Sequence, residues 1–170
     1  AYNILLLALP LALIGARIYH VIHKWSDVYR DDLSRIFLIN EGGIGIYGAI
    51  GGSILAVVIY TRWQKLPLLR WLDIGALGLI VGQAIGRWGN FFNQELYGRP
   101  TSLPWSIPIP VEKRIPGFEA FSEFHPLFLY ESLLNLLAFG TMMYVARRFK
   151  DKLRDGDIVL MYGLFYGAIR

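Results

Sequence analysis

Arg87, Asn90, Asn93, Gln94 and Glu95 gather one cation, three carboxamides and one carboxylate within nine consecutive positions of a 170-residue chain. They follow Ile74–Ile85, an apolar run without a charge. An ionised side chain deep in a membrane helix costs roughly 2.5 kcal/mol or more, so Arg87 calls for a partner or a task. On a continuing helix, Asn90 lies one turn beyond Arg87 and Gln94 a further turn on, with Asn93 and Glu95 flanking that face. Gly86, Gly89 and Gly98 let backbone or ligand come close. Such a set suits an anionic, oxygen-rich ligand. The plainer alternative is an Arg87–Glu95 ion pair that settles both charges at the membrane surface.

The elements that must position this cluster are apolar. Hydrophobic residues make up 55% of the chain and charged ones 18%, which sets it apart from an ordinary soluble domain. Mean hydropathy is +0.42. The apolar residues fall in blocks near the ~20 residues a membrane helix needs. Segments at about 4–23, 43–60, 71–92, 126–146 and 157–170 are expected to cross the membrane, the last being cut short. The expected fold is an all-α, polytopic integral membrane helical bundle, a single domain over 1–170. Pro100, Pro104, Pro108, Pro110 and Pro116 exclude a helix between them, so about 97–124 is expected to form a small, extended or β-rich extramembrane head.

Charge sets the orientation. Thr61–Arg70 and Arg147–Asp157 are the strongly basic loops; they lie two crossings apart and are expected on the cytoplasmic side. Lys24–Glu41 and the proline-rich head then face outward, and the Arg87 cluster sits at the outer end of its helix. The net charge of +4 resides in these loops and is a topology signal, with no nucleic-acid partner expected.

Other positions carry weaker signals. There is no cysteine, which excludes disulfides, thiolate metal sites and a cysteine nucleophile from this chain. His20 and His23 share a helix, but no carboxylate completes a metal set; no metal and no cofactor are expected. Pro10 falls inside the first block. Asp31 or Asp32 is expected to cap an amphipathic segment, Leu33–Ile39. Gly45, Gly48 and Gly52 form one small-residue stripe and Gly78, Gly82 and Gly86 another, both expected to pack helices closely. No Lys-Ser/Thr follows the first stripe, which excludes a phosphate loop. Asp73 fits a helix N-terminal charge. Arg17 suits either snorkelling to the interface or binding a ligand. Tyr130, Glu131 and Asn135 put polar groups on a membrane helix, and an acid at the depth of Glu131 needs a partner. Tyr166 and Arg170 lie one turn apart on one face. The chain opens on Ala1 without a basic leader and closes inside an apolar run, as expected of a fragment.

Gly86-Arg87-Trp88-Gly89-Asn90-Phe91-Phe92-Asn93-Gln94-Glu95-Leu96-Tyr97-Gly98 resembles the signature Gly-Arg-x-Gly-Asn-Phe-x-Asn-x-Glu-x-x-Gly of the prolipoprotein diacylglyceryl transferase family, matching every fixed position. Four more stretches resemble that family in its order. They are Gly15–Tyr19, Gly42–Gly52, His125-Pro126-Leu127-Phe128-Leu129-Tyr130-Glu131, and Tyr166–Arg170. In the second, Tyr47 stands at the family's histidine and Ala49 at its last glycine.

The resemblance implies seven helices with a periplasmic head, of which the first, the last and half of the sixth are absent here. It implies a multi-pass protein of the bacterial inner membrane with its site toward the outer face. The implied reaction moves a diacylglyceryl group from phosphatidylglycerol to the lipobox cysteine thiol of a prolipoprotein signal peptide. A thioether forms and glycerol phosphate leaves. Arg87 and Arg170 are then the candidates for stabilising the leaving phosphate. Asn90, Asn93, Glu95 and Gly98 are candidates for binding the lipid substrate, joined by Tyr166, Tyr130, Glu131 and Arg17. Relatives carry a proposed histidine base where Tyr47 stands; a phenol of pKa ~10 is a poor base at neutral pH, so Tyr47, a candidate catalytic residue by its position, is expected instead to hydrogen-bond the lipid, with the two arginines lowering the pKa of the thiol. The competing class is a transporter or channel with an intramembrane Arg/Glu site, although the two halves show no internal repeat. A non-catalytic lipid-binding scaffold is the third.

Overall fold

A computed structural model describes residues 2–30, 32–38 and 42–170. Five α-helices dominate the described residues: α1 (Tyr2–His23), α2 (Ile46–Trp63), α3 (Leu68–Asn93), α4 (Leu127–Arg148) and α5 (Asp157–Ile169). The first four are long and apolar enough to cross a membrane, and α5, at 13 residues, is shorter. Their apolar surface points outward: Leu6, Leu9, Leu137 and Leu164 are each more than half exposed. Exposed apolar surface of this kind, on helices long enough to span a bilayer, fits a membrane environment. The chain is a polytopic, all-α membrane protein.

The chain divides into two compact units, residues 1–72 and 73–170. In the first, α1 runs unbroken through Pro10 and packs along α2. The contact is backbone to backbone. A Cβ on Gly48 would strike the Gly15 carbonyl, and one on Gly52 the Leu11 carbonyl. Small residues permit that approach. A π-helical turn, Trp25–Tyr29, and a 3-10 turn, Leu33–Phe37, follow α1. Asp32 caps the latter, accepting from the Ser34 backbone N–H at 3.0 Å. Asp31 and Ile39, also named for that segment, lie outside the described residues.

In the second unit, α3, α4 and α5 share a core of Ala76, Ile80, Ala138, Met142 and Ile158. The buried stripe of α3 is therefore Ala76, Ile80 and Ala84, at fourfold spacing. The expected glycine stripe lies on another face, and none of the described residues packs on it: a Cβ at Gly78, Gly82 or Gly86 would meet nothing within 4 Å. Asp73 does serve a helix N-terminus, but not that of its own helix. Its carboxylate accepts from the backbone N–H groups of Gly156, at 2.8 Å, and Val159, at 2.9 Å, at the start of α5. Gly156, at φ 106°, has no side chain to cap with, so Asp73 supplies the acceptor.

The segment between α3 and α4 is almost free of strand. Only β1 (Ile107–Pro108) and β2 (Glu123–Phe124) pair, antiparallel, with a bridge from Pro100 to Phe124. Its prolines lack the N–H donors a longer ladder needs. Side chains hold it instead. Tyr97 packs with Ile109 and Phe124, and its hydroxyl donates to the Lys113 carbonyl at 2.7 Å while accepting from the Ile115 N–H at 2.7 Å.

Candidate active site

Arg87 arrives near the end of α3 and meets Glu131 of α4, with Nη2 2.5 Å from Oε2. Both are mostly withdrawn from solvent, at 21% and 19% exposure. The other carboxylate oxygen of Glu131 lies 3.6 Å from Nη1 of Arg170, just past α5. One carboxylate thus sits between two guanidiniums brought in by separate helices. The acid at membrane depth has its partners, and they are the two arginines singled out for phosphate. Asn135, buried one turn further along α4, donates to the Glu131 carbonyl and so serves the helix backbone.

Glu95 is not the partner of Arg87. Helix α3 stops at Asn93, and Gln94 and Leu96 take left-handed φ values of 56° and 52°. Neither is glycine, so this turn carries strain of the kind found at functional sites. The chain folds back, with the Glu95 N–H donating to the Asn90 carbonyl at 3.0 Å. That swings the Glu95 carboxylate over the helix end. It accepts from Nδ2 of Asn90 at 3.0 Å and of Asn93 at 3.2 Å. Asn90 turns its oxygen to Nη1 of Arg87, at 3.4 Å. The polar chain runs Glu131, Arg87, Asn90, Glu95, Asn93. Gln94 leaves the helical face on which the uninterrupted spacing put it.

Tyr130, next to Glu131, has its hydroxyl engaged on both sides. Trp105 Nε1–H donates to it at 2.8 Å, and it lies 3.1 Å from Nδ1 of His125. Gly98 is glycine because the chain passes close: its N–H donates to the His125 carbonyl at 2.9 Å, and a Cβ there would press on the His125 Cβ. Backbone rather than ligand fills that approach. Tyr166 stacks on Tyr162, with ring centroids 6.0 Å apart, and is 43% exposed.

Tyr47 and Arg17 belong to the first unit. Tyr47, in the first turn of α2, is 68% exposed and leans on the Tyr19 ring. Arg17 neither snorkels nor offers itself to a ligand. It is 8% exposed, and its guanidinium donates to the carbonyls of Ile36, Gly42, Gly43, Arg35 and Leu38. Tyr29 lies across its face at 5.5 Å. All the N–H groups of an arginine are then taken, and the residue is a clamp on the loop after α1. His20 bonds the Tyr29 hydroxyl at 2.9 Å, and His23 stacks on Tyr19.

Several residues of the site carried no signal of their own in the sequence. Trp88 Nε1–H donates to the Ser132 hydroxyl at 3.3 Å, and Ser132 donates to the Ala84 carbonyl at 2.9 Å. These residues directly follow Arg87 and Glu131, and they tie α3 to α4 at the level of the ion pair. Lys113 Nζ donates to the Asn93 carbonyl at 2.9 Å, holding the end of α3.

Comparison with known proteins follows the same residues. The family model for prolipoprotein diacylglyceryl transferase matches residues 1–170. A phosphatidylglycerol–prolipoprotein diacylglyceryl transferase of Chloroflexus aggregans is 43% identical over 182 residues, covering 99% of this chain and 59% of the relative. That of Gloeobacter violaceus is 48% identical over 155 residues, covering 91% and 57%. That of Finegoldia magna is 43% identical over 169 residues, covering 99% and 62%. The chain spans 57–62% of the length of these curated relatives.

Proposed function

The chain belongs to the prolipoprotein diacylglyceryl transferase family, and from that premise we propose that it carries the phosphate-binding part of such an enzyme. The reaction is transfer of the diacylglyceryl group of phosphatidylglycerol to the lipobox cysteine of a prolipoprotein. What supports this is the convergence of Arg87 and Arg170 on one carboxylate. Two guanidiniums with a single counter-charge, Arg87 mostly withdrawn from solvent and Arg170 half exposed, form a net cationic site suited to a phosphodiester monoanion.

In the reaction the thiolate pair forms a sulfur–carbon bond at the terminal glyceryl carbon. The carbon–oxygen bond to phosphate breaks, and its electron pair leaves with glycerol phosphate. Negative charge grows on the phosphate oxygens at that moment. Arginines already in place stabilise it better than water, which must reorganise. The planar guanidinium fork matches two phosphate oxygens at once. Glu131 holds both arginines against their mutual repulsion before lipid arrives. Asn90, Asn93 and Glu95 are assigned to the hydroxyls of the glycerol headgroup. Tyr47 is assigned a hydrogen bond to lipid, because a phenol is too weak a base at neutral pH to take the thiol proton. Tyr130 and Tyr166 are assigned to the walls of the site. The enzyme would reside in the bacterial inner membrane with this site toward the outer face.

The test uses full-length protein with phosphatidylglycerol labelled in its acyl chains and a lipobox peptide. Label should pass to the peptide in a thioether, and a Cys→Ser peptide should remain unlabelled. Failure to label the cysteine peptide would overturn the assignment.

A further inference from the structure

The turns that follow β1 hold large apolar side chains outward. Ile115, Phe118 and Phe121 are 48%, 37% and 50% exposed. Two consecutive reverse turns space them. The Phe118 N–H donates to the Ile115 carbonyl at 3.0 Å, and the Phe121 N–H to the Phe118 carbonyl at 3.1 Å. Pro116 and Gly117 at the centre of the first turn, with Gly117 at φ 92°, suit a type II turn. A reverse turn brings its first and last Cα within about 7 Å, so the three residues stand together. The Phe118 and Phe121 rings have centroids 6.3 Å apart.

The loop is framed rather than slack. Arg114 spans it, donating from Nε to the Ile109 carbonyl at 2.8 Å and from Nη1 to the Glu119 carbonyl at 2.6 Å. The Glu119 carboxylate accepts from the Gly117 N–H at 2.9 Å. These polar groups turn to the backbone, and the apolar ones lie at the surface. An apolar cluster held outward by a polar frame marks an interaction surface.

Its position identifies the partner. Lys113 Nζ donates to the carbonyl of Asn93, the last residue of α3, at 2.9 Å. That fixes the loop at the end of a helix long and apolar enough to span a membrane. Ile115 and Leu96 line one open groove there. Leu96 is 62% exposed, and Phe92, in the last turn of α3, 75%. Exposed apolar side chains thus follow one another from α3, through Leu96, to the loop. The charges of the loop cancel, Glu112 and Glu119 against Lys113 and Arg114. Burial of apolar area, and not attraction to an anionic surface, is therefore what seats it.

We propose that Ile115, Phe118 and Phe121 insert at the boundary of headgroups and acyl chains, in the leaflet where α3 ends. The extramembrane segment is then held down on the bilayer instead of standing free of it. Through Lys113 the anchored loop keeps the Asn93–Glu95 turn at the level of the lipid headgroups.

The test reconstitutes full-length protein in phosphatidylcholine vesicles. A photoactivatable phosphatidylcholine, with its diazirine in the acyl chain close to the ester, should label wild type within Ile115–Phe121 several-fold above the Lys150–Arg154 loop. A nitroxide on Phe118→Cys should be relaxed by oxygen more than by a water-soluble nickel chelate, as on Leu137→Cys of α4 and unlike Lys150→Cys. Background label in Ile115–Phe121 would overturn the anchor. So would a Phe118→Cys nitroxide reached by the nickel chelate, which means open water, or by neither reagent, which means cover by protein. Where the nitroxide variant does not fold or the two readings differ, the wild-type label decides. None of these readings requires transfer, so the anchor and the transferase assignment fail separately.

Discussion

Arg87 and Glu131 meet at 2.5 Å across α3 and α4, each with about four-fifths of its side chain withdrawn from solvent. Removing one member of a buried pair strands the other, at roughly 3–5 kcal/mol. Any test of Arg87 as a phosphate ligand must separate that structural loss from a catalytic one.

Arg87→Lys makes the separation. Lysine keeps the charge opposite Glu131 and loses the two-pronged fork. Accumulation should stay near wild type while transfer per folded protein falls roughly a hundredfold, about 3 kcal/mol of transition-state stabilisation. A lysine variant that transfers at wild-type rate would remove Arg87 from the phosphate. Arg87→Ala should be as inactive and should accumulate less.

Glu95→Gln and Glu131→Gln should behave differently. Glu95 accepts from two carboxamides and touches neither arginine, so its glutamine variant should fold and lose no more than about tenfold in rate. Glu131→Gln leaves two guanidiniums without their shared counter-charge and should lower both accumulation and rate. Equal damage from the two would indicate that Glu95 also supports the arginines.

Arg17→Lys should loosen the loop after α1. A single ammonium has three donors and cannot span five carbonyls held by a planar guanidinium. Faster amide exchange is expected across Leu33–Leu38, with destabilisation on the order of 2 kcal/mol. Unchanged exchange there would mean that the clamp is redundant.

Gly52→Leu should separate α1 from α2, because its side chain would enter the Leu11 carbonyl; Gly51→Leu, where nothing lies within 4 Å, should not. The expected difference in stability is about 2–3 kcal/mol, read from unfolding in detergent. Equal stabilities would contradict the backbone-to-backbone contact.

A reporter active only in the cytoplasm, fused within Lys150–Asp155, should be active; inserted near Gly117 it should be silent. The basic loops motivate this orientation. The opposite pattern would invert it.

Arg87 was legible in the sequence because a lone cation after an uncharged membrane run is expensive anywhere. Its partner was not, since Glu131 is far along the chain and Glu95 is near. Only the left-handed turn at Gln94 and Leu96 shows why the near acid turns away. The two glycine stripes looked alike as spacing, yet one lies under a neighbouring helix and the other meets none of the described residues. Spacing records what a helix permits, and the choice of face depends on what packs there. Arg17 shows the same limit: its two proposed roles both assumed an available guanidinium, and the carbonyls that occupy it come from a loop with no periodic pattern.

The Asp73 carboxylate, described above as a cap, also acts as a ruler. Fourteen residues separate Asp73 from Arg87, and fourteen separate Gly156 from Arg170. At ~1.5 Å per residue both intervals rise about 21 Å. Pinning Gly156 to Asp73 gives α3 and α5 a common zero, and equal lengths then deliver both guanidiniums to the height of one carboxylate. A single residue inserted between Ile169 and Arg170 would turn Arg170 by about 100° about its helix and leave the core contacts of Ile158–Ile169 in place. The spacing of the two cations is thus fixed at the far end of the helices from where it is used.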